Sequence, residues 1–250
     1  MEDNFLVIID SMCTTTHAHT VLRSIVRENW STYHLVNFSP KTGTILNKLT
    51  NQGYEDWTTW SRGQAWAILG FTQTYKWTHD PVFLDAAINL AQYFISRLDE
   101  AVSHKAHSNP YVPLWDFDAP PTPTPTSEVL RDSSAGMIAA NGLVILYQIL
   151  VGEGRSEEGL KMLNSALRIL RETVALSLAE RTLFDRQESV AANGSGVNET
   201  EDSQVFDGIL MHATANNNAD AFMRYADHGL VYADYFFLEL GNKLLRMGLV

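Results

Sequence analysis

The sequence predicts an all-α fold assembled from helical hairpins. Three observations predict it. Apolar residues recur at helical spacing over several long stretches, and the strand signals are short and local. A long apolar stretch is also followed by an amphipathic one, the inner and outer helix of a concentric helical barrel.

Taken in chain order, FLVIIDSM at 5–12 is an apolar helical run that reads as the middle of a domain, with Asp10 inside it. A smaller helix is expected over 16–28. Residues 31–50 (STYHLVNFSPKTGTILNKLT) alternate around Pro40 and Gly43 and predict a short β-hairpin. Residues 60–79 (WSRGQAWAILGFTQTYKWTH) form a helix, with Thr58 or Thr59 as its N-cap and Asp80-Pro81 closing it. A second helix runs over 81–98, with Pro81 in its first turn and Phe83, Ala87, Leu90, Ala91 and Phe94 at helical spacing. The pattern returns at 133–151, apolar nearly all round after the cap Asp132, and at 155–178, amphipathic through Leu160, Leu163, Leu167, Leu170 and Val174. A last helix spans 230–247. The segment 99–128, with its Pro-Thr run, is extended, and long loops of this kind carry function.

A chain of 250 residues can bury a substantial core. Its net charge of -11 argues against nucleic acid as the main partner, because phosphate contacts need clustered Lys and Arg. The single Cys13 rules out an intrachain disulfide. No apolar run is expected to approach the roughly 20 residues of a membrane span, so no membrane partner is expected. No signal peptide is expected ahead of the first helix of these 250 residues, and localisation, cytoplasmic or secreted, stays open. Four Asn-X-Ser/Thr sites, at Asn29, Asn37, Asn193 and Asn198, matter only in a secreted chain.

No phosphate loop, nucleophile elbow or metal-spaced His/Cys cluster is present, so neither a metal nor a cofactor is expected. His17 and His19, two apart on a helix, point in different directions. What remains is carboxylates, aromatics, amides and one arginine, an inventory suited to carbohydrate: indole faces meet sugar C–H faces, and Asn, Gln, His and Asp meet hydroxyls. Arg62 and Trp66 are i and i+4 on one helix face, with Trp60 a step away, and Arg62 sits at the positive end of the helix dipole. A carboxylated sugar suits that corner; a core role for both tryptophans, with Arg62 stacked on one, suits the same spacing. Asp10 in its apolar run is either a carboxyl with a raised pKa, as a general acid requires, or a structural one met by an internal partner. The clusters at 115–118 and 131–134 read as caps or braces, with Asp116 and Asp118 the next candidate acids.

Several segments together resemble one family, the unsaturated glucuronyl hydrolases of glycoside hydrolase family 88: IID at 8–10, STYHLV at 31–36, NQGYEDWTTWSRGQAWAILGF at 51–71, LWDFDAP at 114–120, RDSSAGMIAANGL at 131–143 and VYADYFFLEL at 231–240. The resemblance implies an (α/α)6 barrel and removal of a 4,5-unsaturated glucuronic acid from the non-reducing end of lyase-generated oligosaccharides. It implies Asp10 as the general acid/base, His34 and Gln52 as polar pocket residues, and Trp60, Arg62 and Trp66 as the aromatic and basic wall, with Arg62 facing the sugar acid. The family carries helical hairpins and a further aspartate ahead of IID, and serines where this chain has Asp227-His228-Gly229-Leu230. Residues 1–250 are therefore expected to be a single partial barrel domain, incomplete at its N-terminus, with inner helices such as 133–151 left in water. The alternatives are an inactive or sugar-binding form of the family and an unsaturated rhamnogalacturonyl hydrolase.

Overall fold

The computed structural model describes residues 2–125, 127–180 and 206–249, and the side chains of residues 14 onward within them. Asn193 and Asn198 lie outside the described residues. Six helices are described: α1 (Glu2–Ile25), α2 (Ser61–Thr78), α3 (Pro81–Ser103), α4 (Ser133–Gly152), α5 (Ser156–Ser177) and α6 (Val231–Arg246). β1 (Leu35–Phe38) and β2 (Ile45–Leu49) form an antiparallel hairpin with a bulge between Asn37 and Phe38.

Two expected helix starts are met and one is not. Asp80 caps α3 by accepting from Val82 N at 3.0 Å, with Pro81 in the first turn, and Asp132 caps α4 by accepting from Ser134 N at 3.1 Å. For α2 the expected cap, Thr58 or Thr59, is corrected: Trp60 occupies the N-cap without a side-chain bond. Thr58 Oγ1 is spent on Asp116 Oδ2 (2.7 Å), and the Trp115 carbonyl takes Ser61 N (3.2 Å) and Ser61 Oγ (3.1 Å) instead. Helix 16–28 is likewise corrected, since α1 runs unbroken through Thr14-Thr15-Thr16 to Ile25.

The core lies where α4 packs against α2, α5 and α6, and α2 against α3. Every residue from Ser133 to Leu146, with Leu150, is buried. This overturns two expectations. α4 is not left in water, and at 20 residues it is, by length and composition alone, apolar enough to cross a membrane. Its burial among three other helices is how a core helix passes that test. At Gly142 the two helices come close: a Cβ there would lie 3.0 Å from Ile68 Cγ2 and 3.0 Å from Leu69 N, so the α4 backbone meets both side chain and backbone of α2 at this point.

Two buried polar residues, Arg131 and Asn141, tie neighbouring segments to this core. Arg131 donates to the carbonyls of Val112 (2.7 Å), Asn109 (3.2 Å) and Ser108, fixing the turn at 108–112. Burial away from water lowers its pKa to about 10. Asn141 on α4 donates to Phe236 O at 2.8 Å and accepts from Lys243 Nζ at 2.7 Å, which pins α6 to α4.

Candidate active site

A cleft of about 400 Å³ opens between α1 and α2. Thr14, His17 and Val21 supply its α1 side, and Trp60, Gly63, Trp66 and Gly70 its α2 side. Tyr33 and His34, just before β1, close one end. The α2 residues Trp60, Gly63, Ala67 and Gly70 recur at three or four, the spacing of one helix face. His19, in contrast, faces away toward α3, 4.7 Å from the Phe83 ring and 3.6 Å from Asp80 Oδ2.

Trp60 is the buried wall of the cleft. Its indole lies 4.3 Å from the His34 ring on one side and 4.6 Å from the Arg62 guanidinium on another. Gly63 makes room for it, because a Cβ there would stand 2.9 Å from Trp60 Cε3. Trp60 Nε1 is buried with no hydrogen-bond partner among the described residues. Trp66 presents more of its ring, at 41 % exposure, and rests edge-on against Phe236 at 5.3 Å. Trp60 and Trp66 thus both line this cleft, one buried and one with an open ring.

His34 is held by two donors at one nitrogen. Nδ1 accepts from Asn51 N at 3.2 Å and meets Thr50 Oγ1 at 2.9 Å. A backbone N–H can only donate, so the ring proton sits on Nε2 and is free to donate toward the cleft. Burial, and then the charge of Arg62, lower the His34 pKa to about 4, which keeps the ring neutral around pH 7.

Arg62 corrects an expectation. It is 2 % exposed, and its guanidinium faces protein. Nη1 contacts the Asp132 carboxylate and donates to Thr214 O (2.7 Å) and Ser134 Oγ (3.1 Å), while Nη2 donates to Ala215 O (2.7 Å). It also stacks on Trp60 and lies 5.3 Å over the Tyr232 ring. It does not line the cleft. The physical reason is burial: a guanidinium at the root of α2 is cut off from water and has to meet acceptors at once, and the cap carboxylate of α4 and the carbonyls at 214–215 supply them. Gln64, the other polar residue of the WSRGQAW motif, is similarly internal, donating to Trp30 O at 2.8 Å and Leu90 O at 3.2 Å.

Gln52, expected in the pocket, is half-buried on the loop 50–58 and does not line the cleft either. That loop is held by Asp116, whose Oδ2 accepts from Tyr54 N (2.9 Å) and Thr58 Oγ1 (2.7 Å), and by Asn218 Nδ2 donating to Gly53 O (2.7 Å). Asp116 and Asp118 are thus braces and not free acids. Burial raises the pKa of Asp116, and donors from the loop work against it. Asp118 accepts from Thr59 N (2.9 Å) and from Arg97 Nη1 (2.8 Å). Asp10 lies on α1, and its side chain is outside the described part of the structure. Sequence reading missed Tyr33 as a cleft residue and did not connect His17 with the cleft. The helical spacing of 14, 17 and 21 was the available signal for His17; nothing local marked Tyr33. Among the described residues no group of His, Cys, Asp and Glu is placed to hold a metal.

No family model matches the sequence. An unsaturated glucuronyl hydrolase of Formosa agariphila is 30 % identical over 226 residues, covering 89 % of this chain and 46 % of that protein. The crystal structure of the unsaturated glucuronyl hydrolase from Bacillus sp. GL1 superposes with a TM-score of 0.68 at 26 % identity, over 93 % of this chain and 51 % of that one. An unsaturated glucuronyl hydrolase variant solved with dGlcA-Glc-Rha-Glc gives a TM-score of 0.69 at 26 % identity, over 93 % and 51 %. The chain thus spans about half the length of the relatives it matches. Its all-α hairpins follow the (α/α)6-barrel path of those structures, and in sequence and backbone alike the chain resembles about half of an unsaturated glucuronyl hydrolase.

Proposed function

We propose that this chain carries the sugar-binding wall and the acid of a hydrolase that removes a 4,5-unsaturated glucuronic acid from the non-reducing end of oligosaccharides. The observation that carries the reading is one of register. Asp10 stands four residues before Thr14 and seven before His17, and those two positions of α1 line the cleft opposite His34, Trp60 and Trp66. Position 10 thus shares the helix face of Thr14 and His17, and the cleft which those two residues line is a space of sugar size.

The chemistry follows from the substrate. The C4=C5 bond conjugates with the ring oxygen, so it is a vinyl ether, and protonation at C4 leaves positive charge shared by C5 and the ring oxygen. Asp10 gives the proton to C4. Water then bonds to C5 and returns its proton to the Asp10 carboxylate, so the enzyme ends as it began. The hemiketal at C5 opens, and the hemiacetal left at C1 expels the next sugar. No carboxylate need attack the anomeric carbon, so the spacing rule for paired glycosidase carboxylates does not govern this site. Within this scheme His34 offers Nε2–H to a sugar oxygen, Trp60 and Trp66 meet the ring faces, and Arg62 holds Trp60 in place from behind.

The assay is loss of the ultraviolet absorbance of the unsaturated uronic acid, with an unsaturated chondroitin disaccharide as substrate. Asp10→Asn keeps the shape and removes the proton, so the decay should slow by about 10²- to 10⁴-fold with folding unchanged. Near-normal decay in that variant would place the acid elsewhere. No decay in the unsubstituted chain, with the disaccharide still bound in the cleft, would favour a sugar-binding protein over an enzyme.

A further inference from the structure

A second cavity, of about 370 Å³, lies next to the cleft, and its lining is mostly polar: Arg27, Asn29 and Ser31 from the turn after α1, Trp57 from the loop 50–58, and Tyr93 with Arg97 from α3. One layer of side chains separates the two spaces. Arg27 lines the second cavity and Tyr33 the cleft, with the guanidinium 4.0 Å over the Tyr33 ring; Thr59 lines the one and Trp60 the other.

Two features of this cavity point to a ligand. The first is Trp57, 67 % exposed at its edge. Its loop does not depend on the indole for support, because Asp116 holds Thr58 Oγ1 and Tyr54 N, and Arg27 Nη2 donates to Thr58 O at 2.9 Å. A large flat apolar face is thus held out over a polar hollow by a braced backbone, the arrangement that sugar C–H faces stack on.

The second is charge. Arg97 is compensated by Asp118 at 2.8 Å and Glu100 at 3.2 Å, two carboxylates that also line the cavity. Arg27 is not: among the described residues it forms no ion pair with a carboxylate, and its bonds to Ser31 Oγ, Thr59 Oγ1 and Thr58 O take three of its five N–H donors. Lys48 approaches the same Tyr33 ring at 4.1 Å, also without an ion pair among the described residues. The lining's two arginines meet its two carboxylates in number, but both carboxylates are taken by Arg97, so Arg27 is the charged group of the lining left beside the exposed indole with donors to offer an anion.

We propose that this cavity is an accessory subsite for an anionic sugar unit, carboxylated or sulfated, that stacks on Trp57 and turns its negative group toward Arg27. The choice of sugar as the ligand rests on the reading of the cleft given above, while the site itself rests on the cavity, the indole and the cations. An oligosaccharide is thereby gripped at a unit remote from the one in the cleft, and longer acidic chains bind more tightly than disaccharides.

The test is calorimetric binding of three tetrasaccharides that lack a C4=C5 bond and so cannot be hydrated: hyaluronan, 6-sulfated chondroitin and neutral cellotetraose. The acidic pair should bind more tightly than cellotetraose, and their affinity should fall with added salt. Comparing hyaluronan with the sulfated chain tells whether carboxylate or sulfate is the preferred group. Trp57→Ala should weaken acidic binding about tenfold, whereas Trp77→Ala, at an exposed indole on the far end of α2, should not. Should Trp57→Ala melt early, Trp57→Leu keeps apolar bulk without the flat ring and should show the same loss. Full affinity in a folded Trp57 variant, or cellotetraose binding as tightly as the acidic chains, would overturn the proposal. Because none of the three ligands can react, absence of hydration activity leaves this outcome untouched, and the two readings fail separately.

Discussion

His34 is the residue whose state the geometry specifies most fully. With Nδ1 accepting from Asn51 N and a pKa near 4, the ring should stay neutral, with its proton on Nε2, from pH 5 to 8. Nitrogen chemical shifts of the ring read both points directly; a titration near pH 6.5 would contradict them. The linkage sign follows. The unfolded chain protonates this histidine below about pH 6.5 while the folded one does not until about pH 4, so over that window the unfolded state binds more protons. The His34 term therefore makes stability rise with pH between those values, and His34→Gln should flatten the slope of stability against pH there. Arg62 yields the opposite kind of prediction. Arg62→Lys keeps the charge but cannot reach Asp132, Thr214 O and Ala215 O together, and a buried carboxylate left poorly paired costs about 3–5 kcal/mol. Urea unfolding measures this, and a change below about 1 kcal/mol, the range of exposed pairs, would mean that Arg62 is not the brace the geometry makes it. The spacing of WSRGQAW allowed Arg62 either to face a ligand or to stack on a tryptophan, and only the fold chose the second. Helical periodicity reports which residues share a face, and the partners that decide where Arg62 points, Asp132 and Thr214, are remote in sequence and leave no trace in the motif.

At the scale of elements, periodicity read α2 to α6 with ends off by about five residues at most, and Pro81 in the first turn of α3 and the cap Asp132 of α4 were legible because such signals act locally. The start of α2 was not, since its first N–H is satisfied by the Trp115 carbonyl, a contact made across the fold. The length of α1 was missed for a related reason. Three successive threonines suggest a break on propensity, but each costs only tenths of a kcal/mol in a helix and tertiary context overrides it. The two glycines at the α2 surface separate packing from propensity. At Gly142 a Cβ meets Ile68 Cγ2 and the Leu69 backbone at 3.0 Å, so Gly142→Ala must push α2 from α4, and a net loss of about 1–3 kcal/mol is expected. At Gly70 nothing lies within 4 Å, so Gly70→Ala should stabilise α2 by up to about 1 kcal/mol while adding a methyl to the cleft wall. Equal effects at the two sites would mean that the α2–α4 approach is looser than the structure has it.

For the whole molecule the question is where apolar surface meets water. The apolar composition of 133–151 suggested α4, yet α4 is the most buried helix, because α2, α5 and α6 close around it. Composition marks a helix as inner; it does not say which neighbours cover it. Among the described residues an exposed apolar stripe lies instead on α6, where Val231, Tyr235, Leu238 and Leu245 are all open to solvent. Their spacing of four, three and seven puts them on one stripe, opposite the buried Ala233, Leu240 and Leu244 that face α4. A stripe of this kind is large enough to take up a hydrophobic dye and to drive self-association. The expected outcome is that dye fluorescence and any concentration-dependent association of the chain fall together in the double variant Tyr235→Lys, Leu238→Lys. Its melting temperature should stay close to that of the parent, since both side chains are more than half exposed and surface changes of this kind usually shift stability by less than about 0.5 kcal/mol. A dye signal that persists in the double variant would locate the exposed surface elsewhere. A steep fall in melting temperature would instead mean that this face of α6 is packed in solution.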